Sequence, residues 1–162
     1  MKDTIENLKN ELLKKDRLLE KAHEVINDMA REIGMREIKF RGLYECEDGT
    51  KEWVYGYLGK CDYKFIIEDD QGLGTFIDKN SIGQYTGLKD KNGVKIYEGD
   101  IVSAWSEGIC AKGVVTKRVD GLWIIKPSWQ NNKLWGICPD KKGFSEVEVI
   151  GNIYENPELL EE

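Results

Sequence analysis

Two local acid pairs, Asp69 with Asp70 and Glu98 with Asp100, are the side chains best suited by type to proton transfer or metal binding. Either task needs a cleft into which groups from distant strands converge. Acids placed close together in turns more commonly cap backbone amides or face water, and both pairs are read that way. The four cysteines, Cys46, Cys61, Cys110 and Cys138, are widely spaced, and the one histidine is His23. Zinc sites draw Cys and His from short paired spacings such as C-x-x-C, and none occurs here. The thiols read as small, buried or partly exposed side chains of a reducing compartment. The glycines of "SIGQYTGLKDKNGVKIYEGDIV" (residues 81–102) fit neither the P-loop spacing nor the dinucleotide fingerprint. The run after them is strand-like, with no helix N-terminus to hold an anion. No catalytic, cofactor-binding or metal-ligating residue is expected.

The same glycines are explained by backbone geometry. Asp90-Lys91-Asn92-Gly93 has the order of a hairpin turn, with Gly93 in the left-handed position. Tyr97-Glu98-Gly99-Asp100 reads as a second tight turn feeding the strand "IVSAW". Gln84-Tyr85-Thr86-Gly87 serves no evident apolar face. Tyr85 and Thr86 are therefore candidates for a recognition surface, although a buried tyrosine beside a threonine turn explains them as well.

The chain has five Trp and seven Tyr in 162 residues. Trp129 and Trp135 flank a polar "QNNK" tip. If both face outward beside Lys126 and Lys133, they form a platform for a protein partner or for single-stranded nucleic acid. Charge argues for protein. Up to Gly34 there are 7 basic and 8 acidic residues, and beyond it 17 and 22, within a total of 24 and 30. Phosphate binding calls for a basic face, so nucleic acid is disfavoured as a partner.

Two segments with different periods must position these side chains. Residues 3–33 contain neither Gly nor Pro and are rich in good helix formers. Ile5, Leu12, Leu19, Ile26 and Ile33 are seven apart, and Leu8, Ala22 and Met29 fill the second seam position, with Lys15 as the exception. This is a coiled-coil register. A narrow apolar seam of this length needs a partner in water. The expectation is a homo-oligomer through this helix, with packing on the chain's own β-rich part as the alternative. Gly34 ends the helix. Beyond it the period becomes two, in "REIKFRG", "KEWVYGYL", "DYKFIIE", "DIVSAW", "KGVVTKR", "GLWIIKP" and "EVEVIGNIY". The expected organisation is a coiled-coil helix over residues 1–34 and a β-rich domain over 35–162, either a small barrel or two packed sheets. No apolar run is long enough to span a membrane, and no secretory signal opens the chain. A cytoplasmic protein is expected.

Four stretches in order carry a family resemblance: "MREIKFRGLY" from Met35, "VYGYL" from Val54, "IGQYTGLKDKNGVKIYEGDIV" from Ile82 and "VIGNIYENPELL" from Val149. Together they resemble the YopX family, small proteins of phages and prophages of Gram-positive bacteria. The resemblance implies a β-dominated fold, with "YEGDIV" and "KGVV" similar to the start of an SH3-like barrel. It implies no enzymatic activity and supplies no catalytic residues. The expected role is a non-enzymatic, oligomeric binding module or adaptor for a host or phage protein. The alternative is a nucleic-acid-binding accessory protein built on an SH3-like barrel.

Overall fold

Alternating residues of period two, broken by Gly and Asp turns, fold here into eleven antiparallel strands among the described residues. A computed structural model describes residues 37–141, 143 and 145–161, together with Lys9, 11–15, 17–19, 21–22 and Val25. The chain divides into two units, Met1–Arg36 and Glu37–Glu162.

In the first unit the described residues are helical. Leu12 and Leu19 are 64% and 63% exposed within the single chain, and Ala22 and Lys15 are exposed as well. The other expected seam residues, Ile5, Leu8, Ile26, Met29 and Ile33, lie outside the described residues, as do His23 and Gly34.

In the second unit the strands are β1 (Phe40–Glu45), β2 (Lys51–Cys61), β3 (Lys64–Glu68), β4 (Gly74–Phe76), β5 (Gly83–Lys89), β6 (Lys95–Tyr97), β7 (Asp100–Ser106), β8 (Ile109–Lys117), β9 (Trp123–Gln130), β10 (Lys133–Gly136) and β11 (Glu148–Asn152). They form one sheet in the order β4-β3-β2-β1-β5-β6 and another in the order β10-β9-β8-β7-β11. The unit is mainly β, but it is not the expected SH3-like barrel. A barrel closes when its last strand pairs with its first. Here β11 returns to β7, with Val149 opposite Val102, and so extends the second sheet's own edge. Both sheets stay open.

The expected hairpin turn is present. Gly93 has φ +87°, and its N–H donates to the Asp90 carbonyl. Asp90 is fully buried. Its Oδ1 accepts from the Asn92 and Val94 amides, each at 2.8 Å, and its Oδ2 accepts from the Val149 amide at 3.1 Å. One carboxylate thus ties the β5–β6 hairpin to β11. At the chain's end the Asn152 Oδ1 accepts from the Tyr154 and Glu155 amides at 3.0 Å, turning the chain back beside β11.

The main apolar core lies on one face of the second sheet. Val102, Ala104, Ala111, Val115, Trp123, Ile125 and Trp135 pack there with Ile96, Ile137 and Val147. Each large side chain fully buried in this way is worth roughly 1.5–3 kcal/mol.

Candidate functional site

Charge, not apolar area, fills the junction between the two sheets. Arg41 on β1 lies opposite Tyr55 of β2 and Gly83 of β5. It is 5% exposed, and Asp100, the first residue of β7, is 2% exposed. The Arg41 Nη2 meets Asp100 Oδ1 at 2.6 Å and donates to the Glu98 carbonyl at 3.2 Å. The other Asp100 oxygen accepts from the Tyr97 amide at 2.7 Å. The Tyr97–Asp100 turn makes this possible. Gly99 has φ +84°, a conformation suited to glycine. Gly83 lets the strands close up, because a Cβ there would stand 2.4 Å from the Glu98 carbonyl oxygen.

Aromatic rings surround the ion pair. The Arg41 guanidinium lies 4.4 Å from the Trp53 ring centre and 5.1 Å from that of Tyr97, within cation–π range. Tyr97 also packs on Tyr55 at 5.4 Å and on Tyr85 at 5.3 Å. Tyr154 meets Trp53 edge-on at 5.7 Å. Burial pushes the Tyr97 phenol well above its ordinary range, helped by the neighbouring Tyr55 and Tyr85. Burial also raises Tyr55 and Tyr154, against the pull of Arg41. The Asp100 carboxyl is raised by burial, which outweighs the lowering by Arg41 and by the Tyr97 amide.

Beside these rings opens a cavity of about 470 Å³. β1, β2 and β6 supply one wall, through Arg41, Trp53, Tyr55, Lys95 and Tyr97. β11 and the turn after it supply the other, through Val149, Gly151, Asn152, Glu155 and Asn156. Two donors of β1 and β2, Arg41 Nε and Trp53 Nε1, are buried without a hydrogen-bond partner. A second cavity of about 470 Å³, lined by Leu43, Tyr63, Phe65 and Phe76 among others, holds no buried ion pair.

The residues expected to form a partner surface are not brought together. Tyr85 and Thr86 are buried. The Thr86 hydroxyl donates to the Ile96 carbonyl at 2.9 Å, and Tyr85 is a wall of the aromatic cluster. Trp135 is also buried, and its indole N–H donates to the Gln130 carbonyl at 3.1 Å. Trp129 pairs with Leu134 across the β9–β10 hairpin and is 64% exposed. Asn131 and Asn132 form a two-residue tip with positive φ, so Trp129 shares a face with Leu134 and the next residue, Trp135, turns inward. Lys126 is exposed, and Lys133 pairs with Glu107. The two-tryptophan platform is therefore not built.

The acid pairs divide. The Asp69 Oδ1 caps the Gln71 and Leu73 amides, each at 2.9 Å, and Asp70 pairs with Lys39 at 3.2 Å. Asp100, by contrast, is neither solvated nor simply a cap. Period-two reading missed Arg41 because it treated that residue as an outward polar position between Phe40 and Gly42. The signal available was its place in the otherwise uncharged run "FRGLY", of which Arg41, Gly42 and Leu43 are all buried. Among the described residues no three side chains of metal-binding type lie together. All four cysteines are free thiols, Cys46 and Cys110 half-buried and Cys61 and Cys138 exposed. No helix among the described residues is long and apolar enough to cross a membrane.

Two open antiparallel sheets joined by a buried Arg–Asp pair define the β-rich unit, and its sequence places it. The chain belongs to the YopX family, whose model, described as YopX protein, matches residues 34–161. Among solved structures it is similar to the crystal structure of protein EF1440 from Enterococcus faecalis, with 24% identity, 77% of this chain and 99% of that chain covered, and a TM-score of 0.37. No curated protein matches.

Proposed function

We propose that the chain is a binding module presented in several copies, an adaptor for a host- or phage-encoded protein rather than a catalyst. The aromatic cavity at the sheet junction carries this reading. Its buried charges are already engaged with each other, Arg41 with Asp100, and its Glu155 carboxylate accepts from the Asn152 side-chain amide. Groups held in this way recognise a shape more readily than they exchange protons. The helical segment supports presentation in copies, because Leu12 and Leu19 are seven apart and exposed in the single chain. Copies joined through this seam gain avidity from a weak individual site.

Light scattering of the intact chain across concentration tests the assembly. The expected mass is a multiple of the 18.6 kDa chain, falling to one chain in the Leu12→Glu/Leu19→Glu variant with the β-sheet circular dichroism unchanged. An intact chain that stays at single-chain mass throughout overturns presentation in copies.

A further inference from the structure

We infer that the second cavity, beside the tip of the β2–β3 hairpin, binds a nucleotide unit, a planar base with its phosphate, as a single strand of nucleic acid presents it. The inference goes beyond the binding-module reading, because this cavity shares no residue with the junction cavity. Its volume of about 470 Å³ is in the range of small-ligand sites. Its aromatic surface has no structural task. Tyr63 sits in the two-residue tip between Cys61 and Lys64, which pair across the hairpin, and it is 84% exposed. Such a tip calls for Gly, Asn or Asp, and a ring this exposed contributes little to a core. Phe76 lies on β4, an outermost strand of its sheet, and is 50% exposed. Lys64 holds its ammonium 5.3 Å from the centre of the Phe76 ring, so charge and aromatic surface stand together.

The cations of the lining have no anionic partner. Lys51, Lys64 and Lys79 line the cavity and form no ion pair among the described residues, whereas Lys39, Lys91, Lys95 and Lys133 each do. Two acids share the lining. Asp78 turns its Oδ1 to the Asn80 amide at 2.9 Å, and Glu45 stands opposite Lys51 in the β1–β2 register. Three ammonium groups against two carboxylates leave a cationic lining in a chain that is acidic as a whole. A patch this small does not hold a duplex, which is bound through many phosphates. A single strand needs less, because each base that stacks on an aromatic ring adds its own affinity whatever the sequence. An apolar peptide would leave the lysines unpaired, and an anion without a ring would leave Tyr63 and Phe76 in water.

Fluorescence anisotropy of the full-length chain with a labelled oligothymidylate tests this, beside an abasic strand of the same length. Oligothymidylate is expected to bind, more weakly as salt rises. The abasic strand keeps every phosphate and should bind at least about 5-fold more weakly. Tyr63→Ala should weaken oligothymidylate by a similar factor, and Lys64→Ala/Lys79→Ala should flatten the salt dependence. Trp129→Ala, which removes an exposed ring outside the cavity, should leave the affinity unchanged. Thymidine monophosphate as competitor separates the two sources of a nucleotide. Displacement only far above the concentration of unlabelled oligothymidylate that suffices supports a strand, and displacement at the same concentration supports a free nucleotide in this site. An abasic strand that binds as well as oligothymidylate, with Tyr63→Ala unaffected, reduces the site to phosphate attraction and overturns the inference. A loss in Trp129→Ala equal to that in Tyr63→Ala overturns its location. No binding of either strand up to about 100 μM at low salt overturns it altogether.

Discussion

The core face of the second sheet and the junction between the sheets are buried to the same degree and built from opposite materials. The first is apolar, from Val102 through Ile125 to Val147. The second holds Arg41, Asp90, Asp100 and Asn152, each at most 7% exposed. Apolar burial contributes to stability in rough proportion to its area. A buried ion pair loses much of its attraction to desolvation, and a hydrophobic replacement of similar volume is often as stable. The difference indicates a division of labour, in which the second sheet holds the unit together and the junction keeps polar chemistry that stability does not require.

Breaking one partner of the junction should have the largest effect. Arg41→Met leaves Asp100 buried without its cation and should cost about 3–5 kcal/mol, read as a lower denaturant midpoint. Ile125, fully buried in the second sheet, should lose about 2–5 kcal/mol on truncation to Ala, because a cavity adds to the lost transfer energy.

Alkali should separate the two regions next. Tyr55, Tyr97 and Tyr154 line or flank the junction, and burial raises all three phenols. Each folded-state value lies above the unfolded value of about 10. The stability they carry is therefore whole below about pH 10 and is lost as pH rises through the folded values. Ultraviolet titration should show these phenols ionising above the ordinary tyrosine value of about 10. The smallest effect is expected at Trp129→Ala, within about 0.5 kcal/mol of wild type, as for other exposed positions.

Much of the second sheet was legible in the sequence. Strands such as "DIVSAW" and "GLWIIKP" announce themselves by β-branched and aromatic residues, and the Asp90–Gly93 turn by its residue order. Closure was not legible, because it depends on which distant strand β11 pairs with, and local pattern does not specify that. The inward turn of Trp135 was in principle readable from the parity of a two-residue hairpin tip. The Arg41 site was hardest. A charged residue in a strand reads as outward unless its partner is known, and the partner, Asp100, opens β7, the strand after the β5–β6 hairpin. Of the proposed assembly seam, the structure describes Leu12, Leu19 and Ala22, while Ile5, Leu8, Ile26, Met29 and Ile33 lie outside the described residues.

The measurement that bears most directly on the division of labour is the denaturant stability of Arg41→Met/Asp100→Asn beside its two single variants. The Asn side chain retains an acceptor for the Tyr97 amide, and neither residue then carries a charge. The account predicts a double variant within about 1 kcal/mol of wild type, far more stable than Arg41→Met alone. A double variant as unstable as the sum of the singles would contradict it, making the ion pair a structural necessity.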